Sequence, residues 1–193
     1  MNEIIGIVVS SIFINNIILT KFLGLCPFFG VSTKLKNSLG MGVAVIFVMT
    51  MSSVITWFLY NWLMVPLGLE YLYIVAFILV ISSFVQLTET FVKNKMPKVQ
   101  SALGVYLPLI TTNCAIMGIV LINNIQEGYS LLNSTVSGAS TGVGFTLALL
   151  LMAGIRERLM LADTPDCLEG MPIAFISAAC LALAFQGFAG MFI

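Results

Sequence analysis

The sequence predicts an all-α membrane protein: six transmembrane helices arranged as two inverted three-helix repeats, with the first and fourth helices broken or half-spanning. Three observations carry this. Of the 193 residues 60% are hydrophobic and only 8% are charged, against about 25% charged in a soluble domain, so there are too few polar side chains to clothe a water-soluble globule. The apolar residues form six long runs, without the alternation of a membrane β-strand. Polar residues and helix breakers recur at matching places in the two halves. Eight basic residues balance eight acidic ones and histidine is absent, which leaves no basic excess for nucleic acid. The composition also excludes disorder and argues against a soluble enzyme. At about 20 residues per span, the length accommodates six spans in one integral membrane domain, 1–193, and no soluble domain.

The first run, 4–29, contains Asn15, Asn16, Thr20 and Lys21, then Gly24, Cys26 and Pro27. It follows Glu3, has no basic leader and continues into a polar stretch, so it does not read as a cleaved signal peptide. The second run, 39–63, opens on Gly40 and Gly42. The third, 71–92, holds Gln86 and Glu89; the glutamate sits near Lys93 and reads first as a helix end. The fourth, 101–124, holds Pro108, Thr111, Thr112, Asn113 and Cys114. A long connection at 119–138 leads to the fifth, 139–155, which opens on Gly142 and Gly144. The sixth, 171–193, holds Cys180 and Gln186.

Basic residues mark the cytoplasmic side. Lys34 and Lys36, then Lys93, Lys95 and Lys98, then Arg156 and Arg158 occupy alternate connections, while Glu70 and Glu127 occupy the others. Six crossings then leave both termini outside the cytoplasm, in a bacterial or archaeal cytoplasmic membrane. Lys21, inside the first run, is the one basic residue off this pattern.

The repeat rests on three ordered matches. Cys26-x-x-x-Gly30 recurs as Cys114-x-x-x-Gly118, 88 residues later. The glycine pair at Gly40 and Gly42 recurs at Gly142 and Gly144, and the late glutamine at Gln86 recurs at Gln186. The units are about 1–97 and 98–193. A three-helix unit repeated once enters the membrane upside down, which makes an inverted repeat. Along one straight helix from residue 4, Cys26 would lie about 33 Å down the axis, at the inner surface, whereas Cys114 would lie mid-membrane. The two become equivalent only if the first helix is interrupted, and Gly24, Pro27 and the polar run are suitable breakers. Unwound backbone is tolerated in a membrane only where protein or a cavity shields it, so these stretches should face inward.

Intramembrane polar groups are functional candidates by default, although single Asn and Thr residues commonly serve interhelical hydrogen bonds. Of the four cysteines, Cys180 among Ala and Leu reads as a buried small hydrophobe. Cys167 lies beside Asp163, Asp166 and Glu169, a setting that disfavours a thiolate. Spacing alone leaves Cys26 and Cys114 open as a disulfide, a redox pair, metal ligands or packing residues. Their symmetric polar breaks raise metal ligation, and thiolates suit zinc, copper(I) or iron–sulfur clusters. Such clusters commonly take four thiolates, so a second subunit would supply the other two.

The stretches Asn15–Gly30 and Leu107–Gly118, with Gly154-Ile-Arg156-Glu157-Arg158 between the fifth and sixth runs, resemble the membrane-subunit family of RnfA, RnfE, NqrD and NqrE. The resemblance spans the whole chain. It implies a non-nucleotide-binding subunit of an Rnf-type ion-translocating ferredoxin:NAD oxidoreductase, coupled to Na⁺ or H⁺ transport. It further implies that Cys26 and Cys114 ligate the iron of an intramembrane [2Fe-2S] cluster shared with a homologous, RnfE-like subunit. Flavins, NAD and ferredoxin would then belong to the other subunits, of the B, C, D and G types. Two alternatives stand beside this: an NqrE-like subunit of a Na⁺-translocating NADH:quinone reductase, and a small inverted-repeat transporter whose cysteines only pack.

Overall fold

The computed structural model describes residues 2–33, 35–68, 70–95, 109–110, 112–161, 165 and 168–189. They form helices and no strand. Helix α1 (Asn2–Val9) runs into a π-helical turn (Ser10–Ile14), and the chain then leaves helical geometry until α2 (Leu25–Val31). Helix α3 (Leu35–Leu59) ends in a second π turn (Tyr60–Met64), followed by the short α4 (Val65–Leu67). Then come α5 (Tyr73–Lys95), α6 (Cys114–Leu121) with a π turn at Ile122–Gln126, α7 (Leu131–Leu159) and α8 (Met171–Ala189). Among the described residues three helical stretches are long and apolar enough to cross a membrane: Asn37–Met64, Leu131–Leu159 and Met171–Phe188. Ile4–Ile14, Tyr73–Thr88 and Cys114–Gln126 are apolar but shorter.

The first run is therefore interrupted, as its breakers predict. The fourth is helical from Cys114 onward, while Pro108 and Thr111 lie outside the described residues. So do Lys34, Lys98, Asp163, Asp166, Cys167 and the boundary between the proposed repeats.

The core is built on α3 and α7, which share the most extensive contact of any two elements. Small residues make that closeness possible. A Cβ on Gly142 would stand 2.8 Å from Ile46 Cα, and Gly42 and Gly138 lie against the side chains of Thr146 and Ser53. Residue numbers rise on one helix as they fall on the other, so α3 and α7 run antiparallel. Gly42 and Gly142, one from each glycine pair, thus serve packing, the usual role of small residues between membrane helices. Around this seam Met41, Val45, Met49, Phe145, Leu149 and Met152 are fully buried.

Two expectations fail here. The chain at 119–138 is mostly helix, since α6 extends through its π turn to Gln126 and α7 starts at Leu131. Its Ser, Thr, Asn and Gly residues have the composition of a loop, yet Asn123, Asn124, Ser134 and Ser137 are buried. Ser137 Oγ donates to Asn123 Oδ1 (2.8 Å), and Asn123 Nδ2 donates to the Ser134 carbonyl (3.2 Å). Polar residues that satisfy one another across a helix pair read as a linker only when the partner is unseen. Cys180, expected to be buried, is exposed. Helix α8 presents a narrow stripe inward, with Ala174 and Phe185 buried, and Cys180 lies off it.

Candidate cofactor site at the two cysteines

The break between α1 and α2 is folded around Asn16. Its side chain is fully buried and donates to the Gly144 carbonyl on α7 (2.8 Å), while its Oδ1 accepts the Ile18 N–H (3.2 Å). The Asn16 carbonyl accepts from both the backbone and the hydroxyl of Thr20. Gly144 has no side chain to keep the break away, since a Cβ there would stand 3.0 Å from the Ser11 carbonyl. Ile17, Ile18 and Leu19 are buried as well. This part of the break faces inward as expected, whereas Thr20, Lys21 and Phe22 are exposed.

The chain re-enters helix through two residues of left-handed backbone, Phe22 (φ 55°) and Gly24 (φ 83°). Phe22 is the only non-glycine with positive φ among the described residues, and such strain concentrates at functional sites. Cys26 then falls in the first turn of α2. Cys114 is the first residue of α6, whose N-cap is Asn113; the Asn113 side chain accepts from the Ala115 N–H (3.0 Å). The two breaks touch, for the Gly24 N–H donates to Cys114 Sγ at 3.0 Å. Both cysteines are free thiols and exposed. Cys114 lines an open cleft of about 230 Å³ against Ile78, Ile81 and Ser82 of α5. Asn113 Nδ2, beside this thiol, is buried without a hydrogen-bond partner.

The chemistry of this pair suits half of a metal site. Two accessible thiols open two helices whose preceding loops are in contact, and an unspent amide donor lies at the rim. Among the described residues no three His, Cys, Asp or Glu side chains gather to hold a metal.

Residues 4–192 match the family described as "Rnf-Nqr subunit, membrane protein". The chain belongs to the Rnf-Nqr family. Among similar Rnf-Nqr relatives, the A-type component of the Na(+)-translocating ferredoxin:NAD(+) oxidoreductase complex of Acetobacterium woodii is 50% identical over 97% of both chains. The A-type component of the ion-translocating oxidoreductase complex of Syntrophotalea carbinolica is 49% identical, and that of Escherichia coli 48%, each over 99% of this chain and 98% of the relative. The chain is thus an integral membrane protein of this Rnf-Nqr group.

Two further features stand near the thiols. The Gly154–Arg158 motif clamps the turn between α2 and α3. Arg156 Nη1 donates to the Phe29 carbonyl (2.7 Å) and to Ser32 Oγ (3.0 Å), and Glu157 accepts the Leu35 N–H (3.0 Å). Sequence reading gave Arg156 a topological charge and missed this role, because its partners lie more than 120 residues away. The second feature is a polar cavity of about 100 Å³ between the π turns of α1 and α6, lined by Ser10, Ser11, Asn15, Lys21, Glu127 and Ser137 among others. Lys21 belongs to the break and opens on this cavity. Gln86 and Gln186 are exposed on α5 and α8; Gln186 lines a cleft of about 550 Å³ with Thr20, Phe22 and Leu25 of the first break.

Proposed function

We propose that this chain is a subunit of an Rnf-type ion-translocating ferredoxin:NAD oxidoreductase complex, in which Cys26 and Cys114 supply two of the four thiolates of a [2Fe-2S] cluster. The observation that carries this is the contact between the two breaks, in which the N–H of Gly24, two residues before Cys26, donates to Cys114 Sγ. Relatives about 50% identical over almost the whole chain belong to ion-translocating oxidoreductase complexes, one of them ferredoxin:NAD(+)-linked, which supports the complex and favours the ferredoxin-linked form over a quinone-linked one. The cluster completes on a homologous subunit, and it supplies one-electron transfer between a carrier on the inner side and a flavin-bearing subunit toward the outside.

This chain's residues position and insulate. Asn16 pins the first break to α7, and Asn113 caps the second. The N-terminal N–H groups of α6 favour negative charge at Cys114. The duplicated unit supports a pseudo-two-fold axis in the membrane plane, with both termini outside, and the antiparallel α3–α7 seam is the relation such an axis demands. A change of charge at the thiols would alter packing of the broken helices, and the polar cavity beside Lys21 is where ion access would respond.

That cavity also favours a second reading, an inverted-repeat transporter whose cysteines only pack. Iron content and electron paramagnetic resonance of the purified, dithionite-reduced complex separate the two. Loss of one two-iron signal in Cys26→Ala/Cys114→Ala, with the complex still assembled, supports the cluster. An unchanged spectrum and iron count overturns it in favour of the transporter.

A further inference from the structure

Gly24 meets two separate restrictions. Its backbone is left-handed (φ 83°, ψ 27°) at the N-cap of α2, a conformation that costs an L side chain about 1–2 kcal/mol. Its missing side chain is also required by space. A Cβ would stand 2.8 Å from Phe145 Cε2, 2.9 Å from Ala115 Cβ and 3.0 Å from Asn113 Oδ1. Either restriction alone would select glycine. Together they fix where its N–H points, and that N–H donates to Cys114 Sγ.

The neighbouring donors are otherwise engaged. The Phe22 N–H bonds to the Ile18 carbonyl and the Leu23 N–H to the Ile17 carbonyl, both at 3.1 Å. The loop therefore spends the amides of residues 22 and 23 on itself and turns the next one onto the other break's sulfur. The donor sits on a buried residue, where a hydrogen bond is electrostatically stronger than in water.

We infer that Gly24 is a positioning residue for electron transfer, its N–H raising the reduction potential of the centre that Cys114 ligates. The inference rests on the cluster reading above. Adding an electron makes the centre one charge more negative, and a donor fixed on a ligand sulfur stabilises that state more than the oxidised one. Hydrogen bonds to the sulfurs are among the factors that set such potentials. No bond forms or breaks at Gly24; it shifts an equilibrium between two oxidation states.

The test compares assembled wild-type complex with Gly24→Ala. Redox titration followed by electron paramagnetic resonance reads the midpoint potential of the signal that depends on Cys114. About a tenfold shift of the equilibrium toward the oxidised form is expected, which is a fall of about 59 mV for one electron. Hyperfine spectroscopy of wild-type complex grown with ¹⁵N-glycine reads the contact itself, and a glycine nitrogen coupling to the centre is expected. If Gly24→Ala does not assemble, Gly24→Ala/Phe145→Ala removes the ring edge that the new methyl meets. An unchanged potential, or a wild-type centre with no glycine coupling, overturns the inference. Absence of any Cys114-dependent signal in wild type instead overturns the cluster reading on which it stands.

Discussion

The two thiol motifs share a pattern and reach it by different local structures. Cys26 follows a loop of ten residues, 15–24, tied to α7 through Asn16 and closed by left-handed backbone at Phe22 and Gly24. Cys114 follows Asn113, whose side chain caps the helix directly. At the fourth position after each cysteine the motifs diverge again. Gly118 is covered by Leu23, so that a Cβ there would stand 2.5 Å from Leu23 Cδ1, whereas Gly30 has nothing within reach. The first motif thus buttresses the second and leaves its own flank open. Chemistry can be duplicated while support is not. On the proposed reading, in which a second subunit would complete the cluster, one flank has reason to stay free.

The largest effect should come from the loop that holds the first motif. Asn16→Ala strands a buried carbonyl at Gly144 and a buried N–H at Ile18, a loss of about 3 kcal/mol from two unsatisfied groups. The thermal unfolding midpoint of the purified complex should fall markedly, and Cys26 should lose its place relative to Cys114. A midpoint equal to wild type would mean that the loop is held by something other than Asn16. Next is the clamp behind α2. Arg156→Ala removes two charge-assisted hydrogen bonds, and because Arg156 is half-buried the net loss should be about 2 kcal/mol. Arg156→Lys keeps the charge but not the planar Nη1 whose two N–H groups reach Phe29 and Ser32 together. If lysine restored full stability, the residue would be acting as a topological charge alone.

The second motif should be less sensitive. Asn113→Ala removes an N-cap, at a cost of about 1 kcal/mol, and also removes the unpartnered Nδ2. Asn113→Asp keeps the cap acceptor and should recover the unfolding midpoint. If Asn113→Ala proved as damaging as Asn16→Ala, the contrast between a loop-held and a cap-held thiol would collapse.

Much of this arrangement was legible in the sequence, for identifiable reasons. Gly24, Pro27 and the polar run announced an interruption because a regular helix cannot carry them through lipid. The glycine pairs announced the repeat, because they recur in matching order in the two halves of the chain. What was not legible depended on distant partners. Ser134, Ser137 and Asn123 imitate a linker until the helices are seen together, and α7 therefore begins earlier than composition suggests. Arg156 and Glu157 reveal their clamp only when α2 and α3 lie beside them. Cys180 was misread because apolar neighbours in sequence do not distinguish the inward stripe of a helix from its outward face.

The smallest effect within the chain is the sharpest test of the asymmetry. Gly118→Ala places a methyl against Leu23 and should cost up to about 1 kcal/mol, limited because the end of a leucine side chain can move. Gly30→Ala meets nothing, so the chain's own unfolding midpoint should stay within about 0.5 kcal/mol of wild type. Its effect should appear elsewhere. The open flank beside Cys26 is where a second subunit's thiolates would approach, and a methyl there should reduce the fraction of this chain recovered with its complex on affinity purification. Equal destabilisation by the two alanines, with recovery unchanged, would mean that the flank at Gly30 is closed by the chain itself and that the support is as duplicated as the chemistry.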